Sequence, residues 1–185
     1  MTKLMVLKVA VALGVLLLVV AVAGGRQPKS PLEPRYTGKL RIGVYDARAV
    51  AVAYVRGNGD AEQIRRLQAE LKQAEAGEQA DRSGDIRARE ERLQTLRHLQ
   101  GFAGARIDDI LPALRDRLPG VAAESGVAAI VDKIDFADDR VEAVDVTDRL
   151  VAHFKPDAQT LRIVADRRKQ KSLPMLDVLA MSPAD

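Results

Sequence analysis

The sequence predicts an α+β fold, a small β body from which an antiparallel helical hairpin projects. Three observations carry that prediction. Leu40 to Asp46 and the segment Val127 to Phe154 read as β-type sequence, and a charged stretch with apolar residues at helical spacing separates them. If the two ends pair, the middle is left to project as an arm.

The first β segment is marked by Leu40, Ile42 and Val44 alternating with Arg41, Gly43 and Tyr45, the period of two expected of a strand with one buried face. Ala47 to Val55 follows, and its row Val50, Ala51, Val52, Ala53 fits either a short helix or more strand. Gly57-Asn58-Gly59 breaks the chain. Asp60 with Gln63 three residues later then forms the pattern of a helix N-terminal capping box.

From there Ile64, Leu67, Leu71 and Ala74 recur at spacings of three and four, a narrow seam of the kind that coiled-coil-like helices present. Gly77 and Gly84 bracket a polar stretch where the chain reverses. A second seam runs through Ile86, Leu93, Leu96, Ala103, Ile107, Ile110, Leu114 and Val121, with the polar Gln100 sitting on it. This predicts a long second helix, bent near residues 108 to 112 because Pro112 lacks a backbone donor. The arm spans about residues 60–118.

Gly126 opens the second β region, whose apolar run is Val127 to Val131. Asp138-Asp139 reads as a turn and Arg140 to Val146 as a returning strand. Thr147 or Asp145 is placed to cap a short helix containing Leu150, Val151 and Phe154. The folded domain is therefore expected over residues 39–156. Residues 157–185, with Arg167, Arg168, Lys169 and Lys171 close together, read as a basic, partly disordered extension.

Ahead of the domain, Lys3 and Lys8 precede an apolar run from Val9 to Ala23 that ends in small residues before Gly24-Gly25. Residues 1–25 have the form of an export signal that a peptidase can cut. They are also near the length of an uncleaved membrane anchor, and either reading puts the rest of the chain outside the cytoplasm. No Cys follows the run, so lipoprotein attachment there is excluded, and no disulfide holds the domain. Pro28, Pro31 and Pro34 make residues 26–38 an extended linker.

Composition narrows function further. Lys and Arg number 29 against 26 Asp and Glu, aromatic residues make up 3%, and there is no Trp. No basic face interleaved with aromatic residues can be assembled, so a nucleic-acid partner is not expected. Asp132, Asp135, Asp138 and Asp139 are the densest carboxylate cluster, but their spacing is that of a solvated turn rather than a calcium loop. His98 and His153 lie in different elements with no Cys beside them, which gives no metal site and no acid-base pair. Ser83-Gly84 and Ser125-Gly126 lack the surroundings of a nucleophile elbow, and Gly57-Asn58-Gly59 is too short for a phosphate loop. Neither catalytic residues nor a cofactor are expected. The seam of Ile64, Leu67 and Leu71 is read first as helix packing and second as a client-binding surface. The basic cluster at residues 167–171 is read as solvated, with contact to anionic lipid as the alternative.

Three stretches carry a family resemblance: LRIGVYDARAV, ILPALRDRLPGVAAESGVAAIVDK and VDVTDRLVAHF. Together they resemble the Skp/OmpH family of periplasmic chaperones. There a strand leading to an Asp opens the domain, a Pro lies in the returning helix, and an apolar strand ending in Val-Asp precedes a final Asp-hydrophobic-Thr-Asp helix start. Asp46, Pro112, Val131-Asp132 and Asp145-Val146-Thr147-Asp148 are the corresponding positions, and the resemblance covers about Leu40 to Phe154. It implies a homotrimer whose helical arms surround a cavity that holds unfolded outer-membrane or envelope proteins without ATP, on the periplasmic side. Two departures imply a smaller, neutral cavity, and the short arm together with the basic tail favours an alternative, a membrane-anchored structural or scaffolding module without holdase activity. The first arm helix has only about 17 residues, roughly 25 Å. Between Asp60 and Arg106 the nine acidic and nine basic residues also balance.

Overall fold

The structure, a computed structural model, describes residues 38–181. Strand β1 (Leu40–Val44) lies at the centre of a three-stranded sheet of order β2-β1-β3, between β2 (Ala129–Val131) and β3 (Val141–Asp145). Both neighbours run parallel to it, with Ile42 opposite Ala129 on one side and Leu40 opposite Val141 on the other. The protein is therefore an α+β fold built on a small parallel sheet. The turn at Asp138-Asp139 forms as expected, the Val141 N–H donating to the Asp138 carbonyl at 3.1 Å, but the strand after it does not return along β2: β3 pairs with β1 instead. Residues 132–140 are long enough, at about 3.3 Å each, to run back along the sheet, so that Arg140 delivers β3 beside the start of β1. The Leu40 N–H donates to the Arg140 carbonyl at 2.7 Å.

The side of the sheet that is buried also differs from expectation. Gly43, not its neighbours, faces the helices, and its register partners Ile130 and Val144 pack against the core. A Cβ on Gly43 would lie 3.2 Å from Ile130, Val127 and Val146 side chains. Leu40 is 36% exposed, and Ile42 and Val44 are only partly buried. Alternation was present in the sequence, but the parity that the chain buries is the one set by glycine. The main core is built from Tyr45, Ala49, Val50, Ala53, Ile107, Ile110, Leu114, Val121, Val146, Leu150, Val151 and Val164.

Residues 47–56, open between helix and strand in the sequence, form helix α1 (Ala47–Arg56), whose start is capped by Asp46 accepting from the Arg48 N–H at 2.9 Å. Helices α2 (Ala61–Ala76) and α3 (Ala80–His98) follow and pack on one another. Leu67, Ala74 and Ile86, with Leu71 beside them, make an apolar cluster separate from the main core. Ion pairs Glu75–Arg87 at 2.7 Å and Glu70–Arg89 at 2.9 Å connect the two helices, the pairing order reversing along the chain. The reversal occurs at residues 77–79, and Gly84 lies inside α3.

The long second helix is not continuous. After α3 the chain makes a π-helical turn (Leu99–Ala103) and stops at Gly104, which takes the left-handed conformation at φ 73°. Pro112 stands at the beginning of the short helix α4 (Leu111–Leu114), where its missing N–H removes no bond, and α5 (Leu118–Ser125) leads into β2. Helix α6 (Thr147–His153) follows β3; its N-cap is Val146 rather than the expected Thr147 or Asp145, and Asp145, one residue earlier, accepts from the Thr147 N–H at 2.9 Å.

The C-terminal segment is the largest correction. In place of a partly disordered extension, α7 (Ala158–Lys169) packs along α1 and buries Val164 in the main core, while α8 (Met175–Leu179) packs against the π-helical turn. Its apolar residues were too sparse for a core face to show by period alone. Residues 1–37, which include the expected signal or anchor and most of the linker, lie outside the described residues, as do residues 182–185. Among the described residues no helix is long and apolar enough to cross a membrane.

Candidate interaction surfaces

Two connections cross the sheet in opposite directions. The path from β1 to β2 carries α1 to α5, and that from β2 to β3 is the bare segment 132–140. Right-handed crossovers of opposite direction lie on opposite faces, so the helices cover one face and, among the described residues, segment 132–140 crosses the other, where Ile134 lies with Val44 and Ala143. That second face carries Leu40, Ile42, Val44, Ala129, Val131, Val141 and Ala143 by register. Parallel sheets are ordinarily covered on both sides, and among the described residues no helix covers this second face.

At the carboxyl ends of β1 and β3 this face opens into a groove of about 610 Å³ with Val44, Tyr45, Ile134 and Ala143 as its apolar part and Asp46, Asp145, Thr147, Lys133 and Arg168 around it. The polar groups are already engaged. Asp46 accepts from the Arg48 guanidinium at 2.8 Å, and its backbone N–H donates to the Thr147 hydroxyl at 3.0 Å. Arg168 bonds to Asp145 and, at 2.7 Å, to Asp148. Burial, followed by the nearby charges of Asp132 and Asp108, pushes the Tyr45 phenol up, so it stays protonated at neutral pH. Such a groove offers an apolar floor with a neutralised rim, chemistry suited to docking a side chain.

Burial pushes the Asp145 carboxyl up, but the hydrogen bonds from Thr147 and the charge of Arg168 outweigh it and hold the group below the usual carboxylate range. A carboxylate with a depressed folded pKa contributes stability above its unfolded value, near pH 4, and loses it as pH falls through the folded value. Asp145→Asn is therefore expected to flatten the stability-versus-pH curve below about pH 4 while leaving its slope at pH 6–8 unchanged. Urea unfolding across that pH range checks this, and an unchanged acid limb refutes it.

On the helical pair the seam divides. Leu67, Ala74 and Ile86 are buried, whereas Ile64 and Leu96 are 40% and 36% exposed. A shallow groove of about 270 Å³ lies between the two helices, lined by Gln63, Leu67, Arg89, Arg92, Leu93 and Leu96. At the base of the pair is a network that the sequence did not announce. The Arg97 guanidinium forks onto both Asp60 oxygens at 2.7 Å, bonds to Asp109, and lies 5.1 Å from the Tyr54 ring centre. The fully buried Gln100 accepts from Arg97 at 2.6 Å and donates to Asp109 at 2.6 Å and to the Arg106 carbonyl at 3.0 Å. Asp60 thus serves Arg97 and makes no side-chain cap on α2, against the capping-box expectation. The signal that could have found this network was Gln100, a polar residue on an apolar seam.

The remaining candidates are dispersed. Asp135 pairs with Lys133 at 2.9 Å and Asp138 with Arg140 at 2.6 Å along the crossover, and among the described residues no group of three or more His, Cys, Asp or Glu is placed to hold a metal. His98 stacks edge-on with Phe102 and His153 with Phe154. Ser83 lies within α3, Ser125 ends α5 with its hydroxyl buried, and the Gly59 carbonyl accepts from Tyr54 at 2.9 Å. Of the basic cluster, Arg167 lies 4.2 Å over the Phe102 ring and Arg168 is tied to β3 and α6, while Lys169 and Lys171 are exposed. In comparison with known proteins, the chain matches no family model, no curated protein and no solved structure.

Proposed function

We propose that this protein is an exported, ATP-independent holdase of the Skp/OmpH type that binds unfolded outer-membrane or envelope proteins. In this reading α2 and α3 form an antiparallel hairpin that projects from the β body, and three copies surround a client space on the periplasmic side. The observation that carries it is the apolar cluster of Leu67, Ala74 and Ile86, which lets the helical pair stand on its own core apart from the body. Half-exposed Ile64 and Leu96 supply the weak, distributed apolar contacts that an unfolded chain accepts. No nucleotide, metal or catalytic step enters this mechanism.

The test is dilution of a urea-unfolded outer-membrane β-barrel protein into buffer with the full chain. Suppressed light scattering at near-stoichiometric ratio without ATP is the expected result. Unchanged aggregation overturns the holdase reading. A second reading, a membrane-anchored scaffold of the envelope, is favoured by the shortness of α2, whose 16 residues extend about 24 Å. Intact-mass measurement of the exported chain separates the two, since retention of residues 1–25 is required for an anchor and loss of them excludes it.

A further inference from the structure

We infer that helix α8 docks the folded body on an anionic lipid surface, its apolar side entering the headgroup layer while Lys169 and Lys171 meet the phosphates. This goes beyond the holdase reading and does not depend on it. Leu176, Met175 and Leu179 are 79%, 55% and 54% exposed, three of the four most exposed large apolar side chains among the described residues. At 100° per residue they fall within one arc of about 100°, and Asp177 lies outside it. Val178, which is buried, holds the other side of the helix to the body, where α8 packs on the π-helical turn. The result is a single apolar stripe presented outward by a helix fixed from behind. Too short to cross a bilayer, such a stripe suits lying in its interface.

Charge identifies the occupant. Of the basic cluster, Arg167 is taken up by the Phe102 ring and Arg168 by Asp145 and Asp148. Lys171 has no carboxylate partner among the described residues, and Lys169 reaches only Asp166, at 3.4 Å in a pair open to water on both sides. Two exposed cations, one unpaired and one loosely paired, therefore lead along the chain into the stripe. A second copy meeting this face about a two-fold axis would set the same lysines against one another, whereas a layer of phosphodiesters neutralises them. Three inserted side chains hold weakly on their own, and a basic patch is the second attraction that makes such binding stable. Residues 26–37 span at most about 40 Å, so retention of residues 1–25 as an anchor keeps the body within reach of the bilayer.

The chain contains no Trp, so Leu176→Trp places a single fluorescent reporter on the stripe. The full-length protein carrying it is reconstituted into vesicles of phosphatidylcholine alone or mixed with phosphatidylglycerol, both with brominated acyl chains. With far-UV circular dichroism unchanged, the indole emission is expected to move to the blue and to be quenched about threefold more in the anionic vesicles than in the neutral ones. Adding Lys169→Gln and Lys171→Gln should lower the ratio of docked to undocked protein at least tenfold, since each lysine beside an anionic surface tightens binding about fivefold. Emission that stays that of a water-exposed indole in both vesicles overturns the proposal, as does equal quenching in both. A blue shift that grows with protein concentration in the absence of vesicles assigns the stripe to a second copy. One that requires an unfolded β-barrel protein assigns it to a client, and either result overturns the lipid contact.

Discussion

Arg97→Met is expected to lower stability to urea by about 3–5 kcal/mol, the cost of removing one partner from a buried ion pair. The side chains of Arg97 and Asp60 are only 10% and 6% exposed, and the fork between them fixes the start of α2 to the end of α3. Without the guanidinium, the Asp60 carboxylate stays buried with its charge unmatched. Gln100 loses a donor as well, and Asp109 loses its cation. Arg97→Met combined with Asp60→Leu should recover a large part of the loss, because well-packed apolar groups replace buried ion pairs at little net cost. Equilibrium urea unfolding of the three proteins checks both statements. A loss below about 1 kcal/mol for the single variant would show that water reaches the site and screens it as it does a surface pair.

Ending the chain at Lys155 is expected to abolish the cooperative unfolding transition of the body. Val164 alone contributes about 1.5–3 kcal/mol of apolar burial. The truncation also strips the Thr160 hydroxyl from Arg56, the Gln170 carbonyl from the buried Arg48, and Arg168 from Asp145 and Asp148. Against a total of about 5–15 kcal/mol for a domain, several such losses at once leave little. A shorter truncation after Gln170 keeps these contacts and should retain a transition, losing only what α8 and the bond from the Leu173 N–H to the Phe102 carbonyl add at the π-helical turn. Circular dichroism with urea distinguishes the two truncations. A full transition at unchanged midpoint in the chain ending at Lys155 would make residues 157–185 dispensable after all.

Several elements were legible because a local signal and the tertiary outcome agreed. The spacing of Ile64, Leu67, Leu71 and Ala74 found α2, and the alternation around Ile42 found β1. Which side of β1 is buried was not legible, since Leu40, Ile42 and Val44 announce an apolar face that the described residues leave partly exposed. Parallel pairing escaped for a related reason: Asp138-Asp139 has turn chemistry, but the length of segment 132–140 decides where the next strand lands. The second seam counted Ala103 and Ile107 as one helix, although Gly104 between them adopts a conformation that ends it. Of the interaction surfaces, the half-exposed helical seam was visible in the sequence. The groove and the Arg97 network were not, because their residues come together only when β3 and the loop after the π-helical turn are in place.

Sheet order also sets the order of events in time. The central strand β1 emerges first from synthesis, yet its partners are β2 and β3, with Ile42 waiting for Ala129 and Leu40 for Val141. At about 5–20 residues per second, roughly 5–20 s pass before β1 can bond to anything on either edge. The helical pair α2 and α3 needs only its own short reversal and can form within that interval. The helical pair is thus complete while the sheet is still open, and the apolar strand β1 waits unpaired until the last third of the chain arrives.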